Sequence, residues 1–139
     1  MAAGASSAQY NKYGPYSQTS ATEHLAVNNN STWRDAFQFS KADDLTWNLV
    51  GCTFEMDVQR NSYDLVPLLS MSTANGQIVI ADPIQRVIYF NVSPDDIQAS
   101  LKPGKYLYDL VMIEPTDVRT LLMHGTVTVV QGVTYPPSP

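Results

Sequence analysis

At 139 residues the chain has the length of one domain, long enough to bury about two thirds of its unfolded surface in a single core. Only 15% of its residues are charged and the formal charge is −5, which argues against the Lys- and Arg-rich face that nucleic-acid binding requires. Cys52 is the only cysteine, so neither an intrachain disulfide nor a thiolate metal cluster can form within one chain.

From Met1 to about Ser20 the residues are small and polar and show no strand or helix period. Residues 1–21 therefore read as a flexible, extended N-terminal arm. Its tyrosines Tyr10, Tyr13 and Tyr16 carry an apolar ring with a polar tip, which suits docking onto a neighbouring subunit. The start has no basic stretch followed by an apolar one, and no run is long enough to cross a bilayer, so a soluble product of the cytosol without membrane contact is expected.

A strand is predicted over Glu23 to Val27, with a turn at Asn28–Asn30, then another over Ser31 to Ser40 with Trp33, Asp35, Phe37 and Phe39 on one face. Lys41 to Asp44 reads as a charged turn, and Leu45, Trp47 and Leu49 lead to Gly51. The clearest segment is Cys52 to Arg60, where Cys52, Phe54, Met56 and Val58 alternate with Thr53, Glu55, Asp57 and Gln59: a strand with one wet face. Asn61 to Asp64 turns, and Leu65 to Ser72 is expected to pair at an edge because Pro67 lacks an amide donor.

Asn75–Gly76 reads as a tight hairpin turn, followed by Ile78 to Ala81 and Arg86 to Val92 as strands. Ser93–Pro94–Asp95–Asp96 has the residue types of a helix start, and Pro103–Gly104 limits that helix to about two turns near 94–101. Tyr106 to Ile113 is apolar on both sides, predicting a central strand covered on both faces. Val118 to Met123 and Thr126 to Val130 complete the strands, with a bulge expected at His124–Gly125. The layout is one all-β domain over residues 22–133, a β-sandwich or jelly-roll-like barrel with one short connecting helix, and a Pro-rich tail over residues 134–139.

No catalytic, cofactor-binding or metal-binding residues emerge. Neither His24 nor His124 has a second metal-type ligand at zinc spacing, and Cys52 opens the apolar side of a strand. Asp43–Asp44 reads as a solvated turn and Asp95–Asp96 as a helix start. Trp33, Trp47, Tyr106 and Tyr108 read as core, with a sugar-binding platform built on Trp33 or Trp47 as the alternative.

The run W-R-D-A-F-Q-F from Trp33, the pattern formed by Trp47, Leu49, Gly51, Thr53, Phe54, Met56, Val58 and Arg60, the strand Pro103–Gly104–Tyr106–Tyr108–Asp109–Leu110, and the closing Gly125 to Val129 together resemble a diverged family of small phage and prophage proteins. The resemblance spans about residues 30 to 131. It implies an immunoglobulin-like or jelly-roll module of the virion, found among head cement or decoration proteins and among baseplate and fibre-attachment domains. The chain stops directly after the sandwich, which points to the cement class.

The expectation is thus a non-enzymatic virion protein on the outer surface of the capsid, stabilising contacts between major capsid protein subunits; the alternative is a tail, baseplate or fibre adaptor. Self-association as a dimer is expected, with Tyr10, Tyr13, Tyr16, Arg34 and Arg60 as contact residues and no cofactor.

Overall fold

The computed structural model of the chain describes residues 5–11, 21–41 and 46–134. The elements are β1 (Ala5–Asn11), β2 (Ala21–Thr22), β3 (Leu25–Asn28), β4 (Ala36–Lys41), β5 (Thr53–Gln59), β6 (Leu69–Ser72), β7 (Ile78–Asp82), β8 (Val87–Phe90), α1 (Pro94–Ser100), β9 (Gly104–Ile113) and β10 (Arg119–Val130). They form two layers. The smaller sheet has the order β1-β4-β8-β7, and the larger has the order β2-β10-β9-β5-β6, with β3 continuing the β2 edge beside β10.

This is an all-β sandwich. The strand order follows the immunoglobulin-type layout, with β4-β8-β7 in the B-E-D places and β10-β9-β5-β6 in the G-F-C-C′ places. A second hallmark sits where α1 hands over to β9. The Tyr106 hydroxyl donates to the Lys102 carbonyl at 2.5 Å, the corner bond by which such sandwiches fix the turn into their F strand.

The alternation over β5 produces the expected result: Phe54, Met56 and Val58 are buried while Thr53, Glu55 and Asp57 are exposed. Phe39 of β4 stacks on Phe54 of β5, with ring centroids 6.3 Å apart, so one aromatic pair ties the two layers together. Trp33 and Phe37 both pack against Phe90, at 5.1 and 5.2 Å. Such pairs add about 0.5–1.5 kcal/mol beyond the apolar area they bury.

Several expectations are corrected. Trp33 does not lie in a strand; the element begins at Ala36, and Trp33 makes an isolated bridge to Val92. The predicted strand at Glu23 to Val27 begins only at Leu25, as β3; Glu23 and His24 form the break between it and β2. Leu65 to Leu68 does not pair; the strand is confined to Leu69–Ser72. The two predicted strands after Val118 are one, β10, and its register shift falls between Leu121 and Met123 instead of at His124–Gly125. Leu122 and Met123 are consequently both buried, and the outward-facing residues change from odd to even numbers after the bulge. No element was expected before Glu23, yet Ala5–Asn11 runs parallel to β4.

Two polar residues hold the connections. Asn29 is buried at the end of β3, where its Oδ1 accepts from the Gly132 amide at 2.7 Å and its carbonyl accepts from Gln98 Nε2 at 2.8 Å. It thereby pins the ends of β3 and β10 to α1. Arg86, in the turn between β7 and β8, has a left-handed backbone with φ of 62°. Its guanidinium donates to the carbonyls of Phe39, Ile84 and Trp47 at 2.8–3.3 Å, contacts that offset the strain of that conformation.

Candidate functional site

β9 has the central position predicted for it, between β10 and β5, but among the described residues only one of its faces is covered. Tyr106, Tyr108, Leu110 and Met112 point into the core, while Leu107 and Asp109 are exposed and Val111 and Ile113 are half-buried. The apolar outer positions therefore face outward on the larger sheet.

Register places these outer residues in rows. Ser70, Asp57, Asp109 and His124 lie abreast across β6, β5, β9 and β10. On one side runs the row Gln59, Leu107 and Thr126; on the other run Glu55, Val111 and Leu121, and then Thr53, Ile113 and Arg119. The face is thus mixed, with Leu107, Val111, Ile113 and Leu121 set among polar residues and crossed by a titratable row. Burial, then the neighbouring Asp57, push the Asp109 carboxyl above the usual carboxylate range, and His124 partly offsets them. The Ser70 hydroxyl donates to Asp57 Oδ1 at 2.8 Å. Arg119 and Glu55 pair at 2.9 Å in an exposed bridge, worth at most about 1 kcal/mol.

The bend between β2 and β3 brings two more side chains to this face. The Glu23 amide donates to the His124 carbonyl and its own carbonyl accepts from the Tyr108 hydroxyl, both at 2.9 Å. A β-carbon at position 125 would collide with that Glu23 carbonyl, so the close approach needs Gly125. With the bend fixed, Thr22 Oγ1 lies 3.4 Å from His124 Nε2, and His24 Nδ1 lies 2.8 Å from Thr126 Oγ1. The result is an open cleft of about 430 Å³, bordered by Thr22, His24, Asn61, Ser62, Leu107 and Leu121.

Immediately beyond Asn61 and Ser62, the connection from β5 to β6 holds Tyr63, Leu65 and Val66 in solvent, at 87%, 98% and 77% exposure. The loop is nevertheless braced. Asn61 Oδ1 accepts from the Tyr63 amide at 2.9 Å, Gln59 Nε2 donates to the Asp64 carbonyl at 2.5 Å, and the Leu68 amide donates to the Val58 carbonyl at 2.9 Å. An apolar cluster exposed outside the core, in a loop hydrogen-bonded on either side of it, is suited to contact another macromolecule.

The residues proposed from sequence are dispersed. Tyr10 lies on β1, and Tyr13 and Tyr16 lie outside the described residues, as do Asp43 and Asp44. Arg34 is exposed beside the smaller sheet, where its Nε donates to Asn91 Oδ1 at 3.3 Å and its guanidinium lies 5.6 Å from the Tyr89 ring. Arg60 follows β5 and lies 5.5 Å from the Tyr106 ring. The two arginines therefore serve different surfaces.

A sugar platform on Trp33 is contradicted, because Trp33 is buried and its Nε1 donates to Asp35 Oδ2 at 3.0 Å. Trp47 is half-buried against the core. Asp95 and Asp96 occupy the first turn of α1, with Ser93 accepting from the Asp96 amide at 3.1 Å. Among the described residues no cluster of three or more His, Cys, Asp or Glu side chains has a metal-binding arrangement, and no helix is long and apolar enough to cross a membrane.

The exposure of Tyr63, Leu65 and Val66 is the feature that sequence reasoning missed. Their signal was the run Leu65–Val66–Pro67–Leu68–Leu69, which neither alternates nor tolerates a full ladder of hydrogen bonds and so cannot bury all its side chains as a strand. No protein-family model matches the chain, and no curated protein matches it.

Proposed function

We propose that the protein is a structural component of a bacteriophage virion: a cement protein that binds the outside of the head and stabilises contacts between major capsid protein subunits. The observation that carries this reading is the braced loop Tyr63–Leu68, continuous with the uncovered apolar residues of the larger sheet. Such a surface suits a working form in which it is covered by protein. The sequence patterns around Trp47 to Arg60 and Pro103 to Leu110, which resemble small phage proteins, direct the reading to the virion.

Mass action supplies the mechanism. A protein that binds the assembled shell and not its free subunits opposes disassembly, and many weak copies acting together multiply that effect. No chemistry is required of any side chain; Arg34 on the smaller sheet and the tyrosines of the first twenty residues are proposed as further contacts.

The test is localisation on purified phage particles by cryo-electron microscopy together with quantitative mass spectrometry. A cement protein will appear as repeated density on the head with a copy number that scales with the capsomers. A handful of copies at the tail would replace this reading with that of an adaptor, and absence from the particle would overturn both.

A further inference from the structure

Two demands meet in the turn that carries the chain from β6 to β7. Gly76 has a left-handed backbone, with φ of 80°, and a β-carbon there would meet nothing within 4 Å, so conformation and not space calls for glycine. The residue before it organises the turn. Asn75 Oδ1 accepts from the Ser72 and Gln77 amides at 3.1 and 2.9 Å, and Asn75 Nδ2 donates to the Ser70 carbonyl at 3.0 Å and to Gln77 Oε1 at 3.4 Å. The Asn75 amide donates to Ser72 Oγ at 3.1 Å. A carboxamide, which carries an acceptor and a donor on one carbon, fills both side-chain roles. The fold thus sets an asparagine directly before a glycine, both exposed, at the only Asn–Gly step of the sequence.

That pair has a chemistry of its own. The Gly76 amide nitrogen, unshielded by a side chain, attacks Asn75 Cγ after losing its proton to hydroxide. The N–Cγ bond forms, the Cγ–Nδ2 bond breaks, and Nδ2 leaves as ammonia, taking from water a proton that balances the one lost. Water then opens the cyclic imide at either carbonyl: aspartate results when the new N–Cγ bond breaks, and isoaspartate when the original peptide bond breaks. Attack requires the peptide plane between Asn75 and Gly76 to turn its nitrogen toward Cγ. That rotation disrupts the bond from the Gly76 amide to the Thr73 carbonyl at 3.4 Å and draws the Gln77 amide away from Asn75 Oδ1.

We infer that Asn75 is a deamidation site gated by its own turn: the four bonds of its side chain withhold the carboxamide until the turn opens locally, and the reaction then keeps the turn from closing as before. Asn30, Asn48, Asn61 and Asn91 each precede a residue whose side chain shields the attacking nitrogen, and Asn29 is buried.

The product differs from the carboxamide where the turn is tightest. A carboxylate at position 75 has no proton for the Ser70 carbonyl or for Gln77 Oε1, and sets oxygen against oxygen at both. It also adds a negative charge to an open cleft whose charged lining side chains are Arg34 and Asp96. The loosening falls where the chain leaves the larger sheet for the smaller one, next to the Thr73 amide that donates to the Phe54 carbonyl at 3.0 Å.

The test is incubation of the full chain in mildly alkaline buffer, folded and in denaturant, with conversion at each asparagine read by peptide mass spectrometry. Asn75 should convert before any other asparagine of the folded chain, yet more slowly than in the unfolded chain by about ten-fold or more, since only the open turn reacts. Ser72→Ala, which removes the hydroxyl that accepts from the Asn75 amide, should speed the reaction of the folded chain by about five-fold, the change in opening that one net hydrogen bond makes, and leave the unfolded rate unchanged. Asn75→Asp should fold, as circular dichroism reads, with a lowered denaturant midpoint. Earlier conversion of another asparagine, equal rates in the folded and unfolded chain, or a Ser72→Ala chain no faster than the native one overturns the inference. An Asn75→Asp midpoint equal to the native one overturns the stated consequence for the turn.

Discussion

The connection from β8 to β9 and the connection from β5 to β6 use similar materials to opposite ends. Both carry proline and several aliphatic residues, the first around α1 and the second without regular structure, and both are secured by side-chain-to-backbone hydrogen bonds. In the first, Ser93 caps α1, the Tyr106 hydroxyl closes the corner on Lys102, and Ile97 and Leu101 are inserted into the core at 0% and 1% exposure. In the second, Asn61 and Gln59 brace the chain equally well, yet Leu65 and Val66 remain in solvent. Order without burial distinguishes a surface held ready for a partner from one that merely closes a loop.

Cutting back one aliphatic side chain in each connection separates them most widely. Ile97→Ala should cost about 2–5 kcal/mol in denaturant unfolding, because it leaves a cavity in a packed interior. Leu65→Ala should change stability by less than about 0.5 kcal/mol. Equal costs would erase the distinction. Tyr106→Phe, which leaves the Lys102 carbonyl without its partner, should cost about 1–2 kcal/mol, and Ser93→Ala about 1 kcal/mol through the lost cap. Both losses belong to the corner that is buried.

The smallest effect concerns the outer row. Asp109 has a folded-state pKa raised above its unfolded value, by burial first and Asp57 second, so the folded chain binds that proton more tightly. Its contribution to stability is present below the ordinary carboxylate range and is lost as pH rises through the raised value. Asp109→Asn removes that loss, and should unfold at a slightly higher denaturant concentration than the native chain near about pH 7, by a fraction of a kcal/mol after solvent screening. The gain should vanish near about pH 3. A gain of equal size at both values would place the effect elsewhere.

Most of the fold was legible because its signals are local. Alternation from Cys52 to Val58 maps directly onto burial, and Ser93–Pro94 marks the start of α1. Asn75–Gly76 marks a turn in which Gly76 has φ of 80°, but the expected hairpin is corrected: the turn carries the chain from β6 in the larger sheet to β7 in the smaller one. What could not be read depends on neighbours distant in sequence. The outer residues of β9 have the apolar character of a doubly covered strand, but no helix or sheet lies over them within the described chain, so periodicity correctly gave a central strand and misjudged its exposure. The strand Ala5–Asn11 exists through pairing with β4 across more than twenty intervening residues, and the polar segment has no period to announce it. The bulge in β10 is set by two adjacent buried residues, Leu122 and Met123, where sequence reasoning placed it at the more obvious glycine. The exposure of this segment was missed because Leu65 to Leu68 looks like the start of a strand, whereas the strand begins only at Leu69.

Hydroxyl-radical footprinting of the chain, free and bound to purified phage heads, examines the proposed use of the exposed loop most directly. Tyr63, Leu65 and Val66, exposed in the free chain, should be labelled freely there and become protected on the head. Unchanged labelling of the loop on the head, or protection confined to the smaller sheet, would contradict the claim that the exposed connection is the surface by which the protein binds the shell.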